Sequence, residues 1–358
     1  MGEVLEYEQP TKYIVNSTFY DDNFTTPVLT AGQSFILGFT SEDRNVKFAS
    51  NQVPVIIFDD FTTSCHFVNF PFKVKSSAMK LLTNKDQNND LFFLYNVLKR
   101  ISYIPKGHKR HWISTFSNFR FMTTDYDEQK QISILLQKLN HLLTLHERKL
   151  ELLKELKKAF SQLMFPDKDE TVPKLRFKGF DGEWKQRKLD EISKIVMGQS
   201  PKGENYTSNP NDYILVQGNA DIKNKKVFPR VWTTQVTKIA KKNSIILCVR
   251  APVGNVVRTN YDVVIGRGVA AIEGNEFIYQ LLQQLDNSGY WIPISTGSTF
   301  ESISSNDIKM VKTLFPNEFE QEKIGSILRK IDQLLTHQES KLEKLKQTKN
   351  FFLQKMFI

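Results

Sequence analysis

Two stretches of this chain repeat one another without a gap. Residues 128–165 read EQKQISILLQKLNHLLTLHERKLELLKELKKAFSQLMF and residues 320–357 read EQEKIGSILRKIDQLLTHQESKLEKLKQTKNFFLQKMF, with about half of the positions identical. Such self-similarity marks duplicated units. In the first copy Ile132, Leu136, Leu139, Leu143, Leu150 and Leu153 follow alternating steps of four and three, broken once by His146 and later by Lys157. The second copy repeats the register with Ile324, Leu328, Ile331, Leu335, Leu342 and Leu345, broken by Gln338 and Lys349. Sustained four–three spacing is a coiled-coil seam, and matched polar interruptions fix register and orientation. A lysine stem can pack while its charge reaches water. Neither copy contains proline, and only Gly325 interrupts the second. Each copy is predicted to be one helix of about 38 residues, roughly 57 Å long at 1.5 Å per residue.

The similarity continues upstream more loosely. Met1-Gly2-Glu3-Val4 aligns with Leu189-Asp190-Glu191-Ile192, and Val55-Ile56-Ile57-Phe58 with Ser244-Ile245-Ile246-Leu247. The chain therefore reads as domain–helix–domain–helix: a first domain over 1–127, a helix over 128–165, a linker over 166–183, a second domain over 184–319 and a helix over 320–358. The expected fold class is α+β, with two mixed α/β domains separated by two long helices that form an antiparallel coiled coil. The competing reading is that each helix simply packs on its own domain. An antiparallel pair makes a rod with one domain near each end, which suits a target with two half-sites. Residues 53–58 and 244–249 read as buried strands, 26–32 and 250–254 as turns, and 91–101 and 276–285 as short helices. The linker is polar and bounded by Pro166 and Pro173. The run Lys174-Leu175-Arg176-Phe177-Lys178-Gly179-Phe180-Asp181-Gly182-Glu183-Trp184 then opens the second half. The first half has no counterpart: either the chain starts late or that piece is supplied elsewhere.

A net charge of +10 and a pI near 9.3 favour a polyanionic partner, which sheds counterions on binding. Two distant cysteines, Cys65 and Cys248, make neither a disulfide framework nor a zinc site, and point to a reducing cytoplasm. No apolar run reaches membrane-spanning length, and the acidic N-terminus lacks a signal core. No active site stands out. Asn209-Pro210-Asn211-Asp212 lacks the second proline and the aromatic residue of an adenine methyltransferase motif, and no phosphate-binding Gly-Lys-Ser/Thr loop is present. Asp59-Asp60 could hold a metal, but a turn or polar contact is the default. Lys106, His108, Lys109, Arg110 and His111 could serve acid–base chemistry; a basic, aromatic-tipped loop facing phosphate fits them better. Gly266-Arg267-Gly268 reads as a tight turn before a phosphate cradle. Arg250 and Arg267 could contact guanine or phosphate, or be structural arginines at the core edge.

Several runs together resemble the specificity subunits of type I restriction–modification systems. In the second half these are residues 174–177 through Glu183-Trp184, Val249-Arg250-Ala251-Pro252-Val253-Gly254, Ile265-Gly266-Arg267-Gly268-Val269-Ala270-Ala271-Ile272 and Gly297-Ser298-Thr299-Phe300-Glu301. In the first half they are Leu29-Thr30-Ala31-Gly32, Ile57-Phe58-Asp59-Asp60-Phe61-Thr62-Thr63 and Lys109-Arg110-His111-Trp112. Glu128-Gln129 and Glu320-Gln321 open the two helical regions. The resemblance spans nearly the whole chain. It implies a non-catalytic subunit in which each domain reads one half of a bipartite, asymmetric site in double-stranded DNA. The helices would set the unspecified spacer and dock two modification (methyltransferase) subunits, and restriction (motor–nuclease) subunits could join them. S-adenosylmethionine, ATP and Mg would bind those partners and not this chain. Candidate DNA contacts are Lys106, Lys109, Arg110, His111, Trp112, Lys223, Arg250, Arg267 and Thr299, with no catalytic or metal-binding residue expected. A coiled-coil scaffold, and a nuclease- or methyltransferase-associated DNA-binding protein outside type I systems, are the competing readings.

Overall fold

A computed structural model describes residues 1–32, 34–105, 110–296 and 301–357. The chain forms two compact units, Met1–His146 with Leu342–Ile358, and Glu147–Lys341. Each unit contains one sheet-rich domain, the start of one long helix and the end of the other.

In the first unit an antiparallel sheet runs in the order Leu5–Glu8, Met79–Asn84, Val55–Asp59, Cys65–Val68. Val55–Asp59 is buried along its whole length, as its unbroken apolar run requires of a central strand. A three-stranded sheet places Thr26–Leu29 between Ile36–Thr40 and Lys73–Val74. The turn expected over 26–32 is thus a strand followed by a bend. Pro27 is tolerated because it faces only Phe39 there; the parallel partner pairs with Val28 and Leu29. The helix Leu91–Arg100 is capped by Asp90, whose carboxylate accepts the Phe93 N–H at 2.8 Å.

The second unit repeats this frame. Ile195–Met197, Val269–Ile272, Ile245–Cys248 and Val256–Arg258 follow one another in a six-stranded sheet, in the same spatial order as the four strands above. Tyr213–Val216 lies parallel to Val263–Ile265, as Thr26–Leu29 does to Lys73–Val74. Asn275 caps the helix Glu276–Asn287 at the place of Asp90. Even the entry matches: the Met1 ammonium donates to Phe119 O at 2.7 Å, and the Leu189 N–H donates to Val311 O at 3.0 Å.

The long helices are Tyr126–Leu163 and Glu318–Met356. They start just before the repeat's Glu-Gln pairs because Asp125 and Asn317 accept the N–H groups of Glu128 and Glu320, at 2.9 and 3.0 Å. The glutamines then tie each helix to its own domain. Gln129 accepts the Asp90 N–H at 2.9 Å, and Gln321 accepts from Asn275 Nδ2 at 2.8 Å. All twelve apolar seam residues are buried or half-buried. Their partners run antiparallel within each unit. Phe357, near the end of the second helix, sits in one core with Ile132, Leu136 and Leu139, while Met164 and Phe165 share a core with Ile324 and Leu328. Each helix thus packs on its own domain at its start and, within each unit, meets the end of the other helix. Lys157 is an ion-pair partner of Asp332 and donates to Gln283 at 3.0 Å. Burial holds its ammonium below the ordinary lysine range, against the pull of Asp332.

The opening run of the second half is explained by one buried fork. Arg176 donates to both carboxylate oxygens of Glu320, at 2.7 and 2.8 Å, and to the carbonyls of Asp181 and Gly182. Glu320 is fully buried. Arg176→Ala should therefore destabilise the second unit by about 3–5 kcal/mol, because it strands a buried carboxylate. Urea unfolding followed by fluorescence of the buried Trp184 and Trp291 measures this loss.

Candidate nucleic-acid interface

At one end of the second domain four turns converge. Gly198, Gly266 and Gly268 leave no room for a side chain: a Cβ at Gly198 would collide with Gly266 O, and one at Gly268 with Gln217 O. Backbone hydrogen bonds lock the arrangement, from Gly198 N to Val269 O (2.9 Å), Gly266 N to Val216 O (2.7 Å) and Val249 N to Gly268 O (2.9 Å). The turn holding Arg267 is thus wedged between its neighbours, and Arg267 N donates to Ser200 Oγ at 3.1 Å. Its glycines serve close backbone packing. Asn219 Nδ2 donates to Pro252 O at 2.7 Å, holding the turn after Arg250. Asp221 fixes the Gln217 turn by accepting the Gln217 N–H at 2.6 Å, and it is paired with Arg230 at 2.5 Å.

On this rigid base Arg250 and Arg267 are exposed, and neither takes part in an ion pair among the described residues. Arg176, Arg230 and Arg258 are the structural arginines, bound to Glu320, Asp221 and Glu276. Lys223 is exposed on the neighbouring hairpin, formed by Ile222–Lys223 and Lys226–Val227, with its ammonium 5.4 Å from the Phe228 ring centre. Ser200, Gln217 and Asn219 belong to the same rim and carried no direct signal in the sequence. Their only signal was turn composition, Gly198-Gln199-Ser200-Pro201 and Gln217-Gly218-Asn219.

The equivalent hairpin tip of the first domain carries different chemistry. Asp59 accepts the N–H groups of Phe61 and Thr62, at 2.7 and 3.1 Å, which makes it a turn former. Asp60 is buried against Lys80 at 3.4 Å and accepts the Trp112 N–H at 2.9 Å. Neither aspartate is placed as a metal ligand, and no acidic, histidine or cysteine cluster among the described residues has metal-binding geometry. Phe61 takes the place of Arg250 at the tip and is exposed. Arg110 is exposed beside it, immediately before the His111–Ser114 helix, whose first N–H bonds Asp60 O at 3.1 Å.

Two candidates are corrected. His111 and Trp112 are each 1% exposed, so neither can touch a duplex. Trp112 packs on Phe58 within the core, and His111 Nδ1 lies 3.1 Å from the Tyr103 hydroxyl. Their basic neighbours in sequence concealed a core role. Lys106, Lys109 and Thr299, with His108, lie outside the described residues. Both cysteines are free, and burial pushes both thiols up to about 12, which leaves no thiolate nucleophile near neutral pH.

Comparison with known proteins gives the chain's family and fold. The type I restriction modification DNA specificity domain matches residues 181–347. The chain is similar to the type I restriction enzyme EcoR124I/EcoR124II specificity subunit of Escherichia coli, at 32% identity over 93% of this chain and 86% of that one. It is also similar to a putative type I restriction enzyme MjaX specificity subunit of Methanocaldococcus jannaschii, at 26% identity over 76% and 68%. In fold it is similar to a type I restriction–modification S subunit from M. genitalium, with a TM-score of 0.73, 17% identity, and coverage of 100% of this chain and 94% of that one.

Gly268→Ala should force the Arg267 and Gln217 turns apart. A loss of about 1–3 kcal/mol is expected from overpacking at such a contact. Thermal unfolding of the variant measures it.

Proposed function

This chain belongs to the DNA specificity subunits of type I restriction–modification systems, and on that premise we propose that its two domains read the two halves of a bipartite DNA site independently. The observation that carries this reading is the pair of equivalent hairpin tips. One frame occurs twice, yet its hairpin tip presents Arg250 in the second domain and Phe61 in the first, and the exposed residues near the tips include Arg267 in the second domain and Arg110 in the first. Positioning demands a constant frame, and base readout demands variable side chains. Arginine suits a guanine edge or a phosphate because its planar fork donates two parallel hydrogen bonds. The glycine-packed turns hold the backbone that carries Arg267, whose exposed guanidinium group takes part in no ion pair among the described residues.

The long helices set the spacer between half-sites and dock two modification subunits; motor–nuclease subunits join them for cleavage. S-adenosylmethionine, ATP and Mg belong to those partners, and this chain performs no bond-making or bond-breaking step.

Two measurements test the reading. Arg250→Ala and Arg267→Ala, assembled with the modification subunits, should each reduce the salt dependence of DNA binding by about one counterion if the residue meets phosphate, or cost about 1–3 kcal/mol at one base pair if it meets a base edge. Exchanging residues 184–319 for those of a relative should change one half-site only, as read by methylation mapping. A change in both halves would overturn independent reading.

A further inference from the structure

Backbone hydrogen bonds fix which residues of the two domains correspond at the tips. Asp60 N bonds Ala78 O at 3.4 Å, as Val249 N bonds Gly268 O at 2.9 Å. Asp60 O accepts the His111 N–H at 3.1 Å, as Val249 O accepts the Ile303 N–H at 3.0 Å. Lys75 N bonds Leu29 O at 2.9 Å, as Gly266 N bonds Val216 O at 2.7 Å. Phe61 follows Asp60 where Arg250 follows Val249, and Ser76-Ser77 lies between the matched positions that flank Arg267. All five of these side chains are exposed. The first domain therefore carries an aromatic ring and two hydroxyls where the second carries two guanidinium groups.

The turn that holds Phe61 is closed by hydrogen bonds on both sides of it. Asp59 accepts the Phe61 and Thr62 N–H groups, and Thr63 N bonds Asp59 O at 3.0 Å. Thr62 Oγ1 lies 3.0 Å from Ser64 Oγ, and the Ser64 hydroxyl donates to Ala31 O at 2.6 Å. Thr63 has a φ of 61°, a left-handed conformation that is costly for a β-branched residue. Such strain persists where the surrounding contacts over-determine the backbone, and it clusters at functional positions. Phe61 itself belongs to neither core cluster of the first domain. A strained, fixed turn thus holds an aromatic ring in solvent.

We propose that Phe61 reads the 5-methyl group of a thymine in the half-site of the first domain. This rests on the reading of the two domains as separate DNA readers. The Phe61 side chain has no donor or acceptor, so it can bond neither a phosphate nor a polar base edge. The one apolar group that a base pair shows in the major groove is the thymine methyl. An apolar wedge driven between base steps needs a ring that projects freely. Phe61 is 41% exposed, so more than half of its surface is already covered. Ser76 and Ser77 offer hydroxyls, which suit either kind of base edge and so discriminate less than an arginine fork.

The test uses the full chain assembled with its modification subunits, and a duplex carrying the site found by methylation mapping. Each thymine is replaced in turn by deoxyuridine, which keeps base pairing and removes only the methyl group. Competition binding then compares the wild type with Phe61→Ala. The half-site of the first domain is the one that survives exchange of residues 184–319. Within it, at least one replacement should weaken wild-type binding about fourfold, the worth of one buried methyl group. The same replacement should leave Phe61→Ala binding unchanged. Phe61→Leu, which keeps an apolar side chain, should retain part of the wild-type loss. The proposal is overturned if that half-site holds no thymine, if no replacement there weakens wild-type binding, or if every loss persists in Phe61→Ala. It is also overturned if Phe61→Ala straightens bent DNA without any thymine-specific effect, the mark of a wedge. These outcomes leave independent reading by the two domains standing. A loss in the other half-site that vanishes in Phe61→Ala would overturn both.

Discussion

Each unit closes its core with the end of a helix that begins in the other half of the sequence. Phe357 stacks on Phe93 at 5.0 Å, and Phe165 lies 5.1 Å from Phe277. Burying one such ring contributes roughly 1.5–3 kcal/mol, a large share of a domain's net stability. Neither domain is therefore a self-sufficient stretch of chain. Within each unit, antiparallel packing of one helix start against the other helix end is a condition for the core. Lys157 breaks the apolar series yet finds Asp332 and Gln283 inside the same unit.

The division between packing and recognition follows from that economy of core. The central strands are buried and apolar in both copies, so they cannot diverge freely. Arg250 and Phe61, exposed at the hairpin tips, belong to neither core and can. At the tip of the second domain, glycines at 198, 266 and 268 bring three backbones into contact, which fixes where Arg267 stands without engaging its side chain. Asp59 does comparable work in the first domain with two hydrogen bonds to the backbone of its turn.

The two halves differ most where the second long helix begins. Glu320 is buried because Arg176 covers it, and Glu128, identical in the repeat, remains in solvent. The same residue thus has two environments, decided by a segment more than a hundred residues away in sequence. Gln129 and Gln321 behave alike because each needs only the capped helix of its own domain, which both halves possess.

The sequence by itself determined the long helices, their seam and the order domain–helix–domain–helix, because a 3.6-residue period and a duplicated pattern are local signals. It also marked Arg250 and Arg267, since each sits in a short run rich in turn residues. It misplaced His111 and Trp112, because a basic neighbourhood says nothing about which side chains face inward. It misread Thr26–Leu29 as a turn, because Pro27 is a breaker unless the opposing edge is open at that position. Tertiary structure alone decided which arginines are structural, since Arg176, Arg230 and Arg258 become so only when distant carboxylates meet them. It alone also separated Glu128 from Glu320, because solvent exposure depends on what the rest of the chain brings to cover a residue.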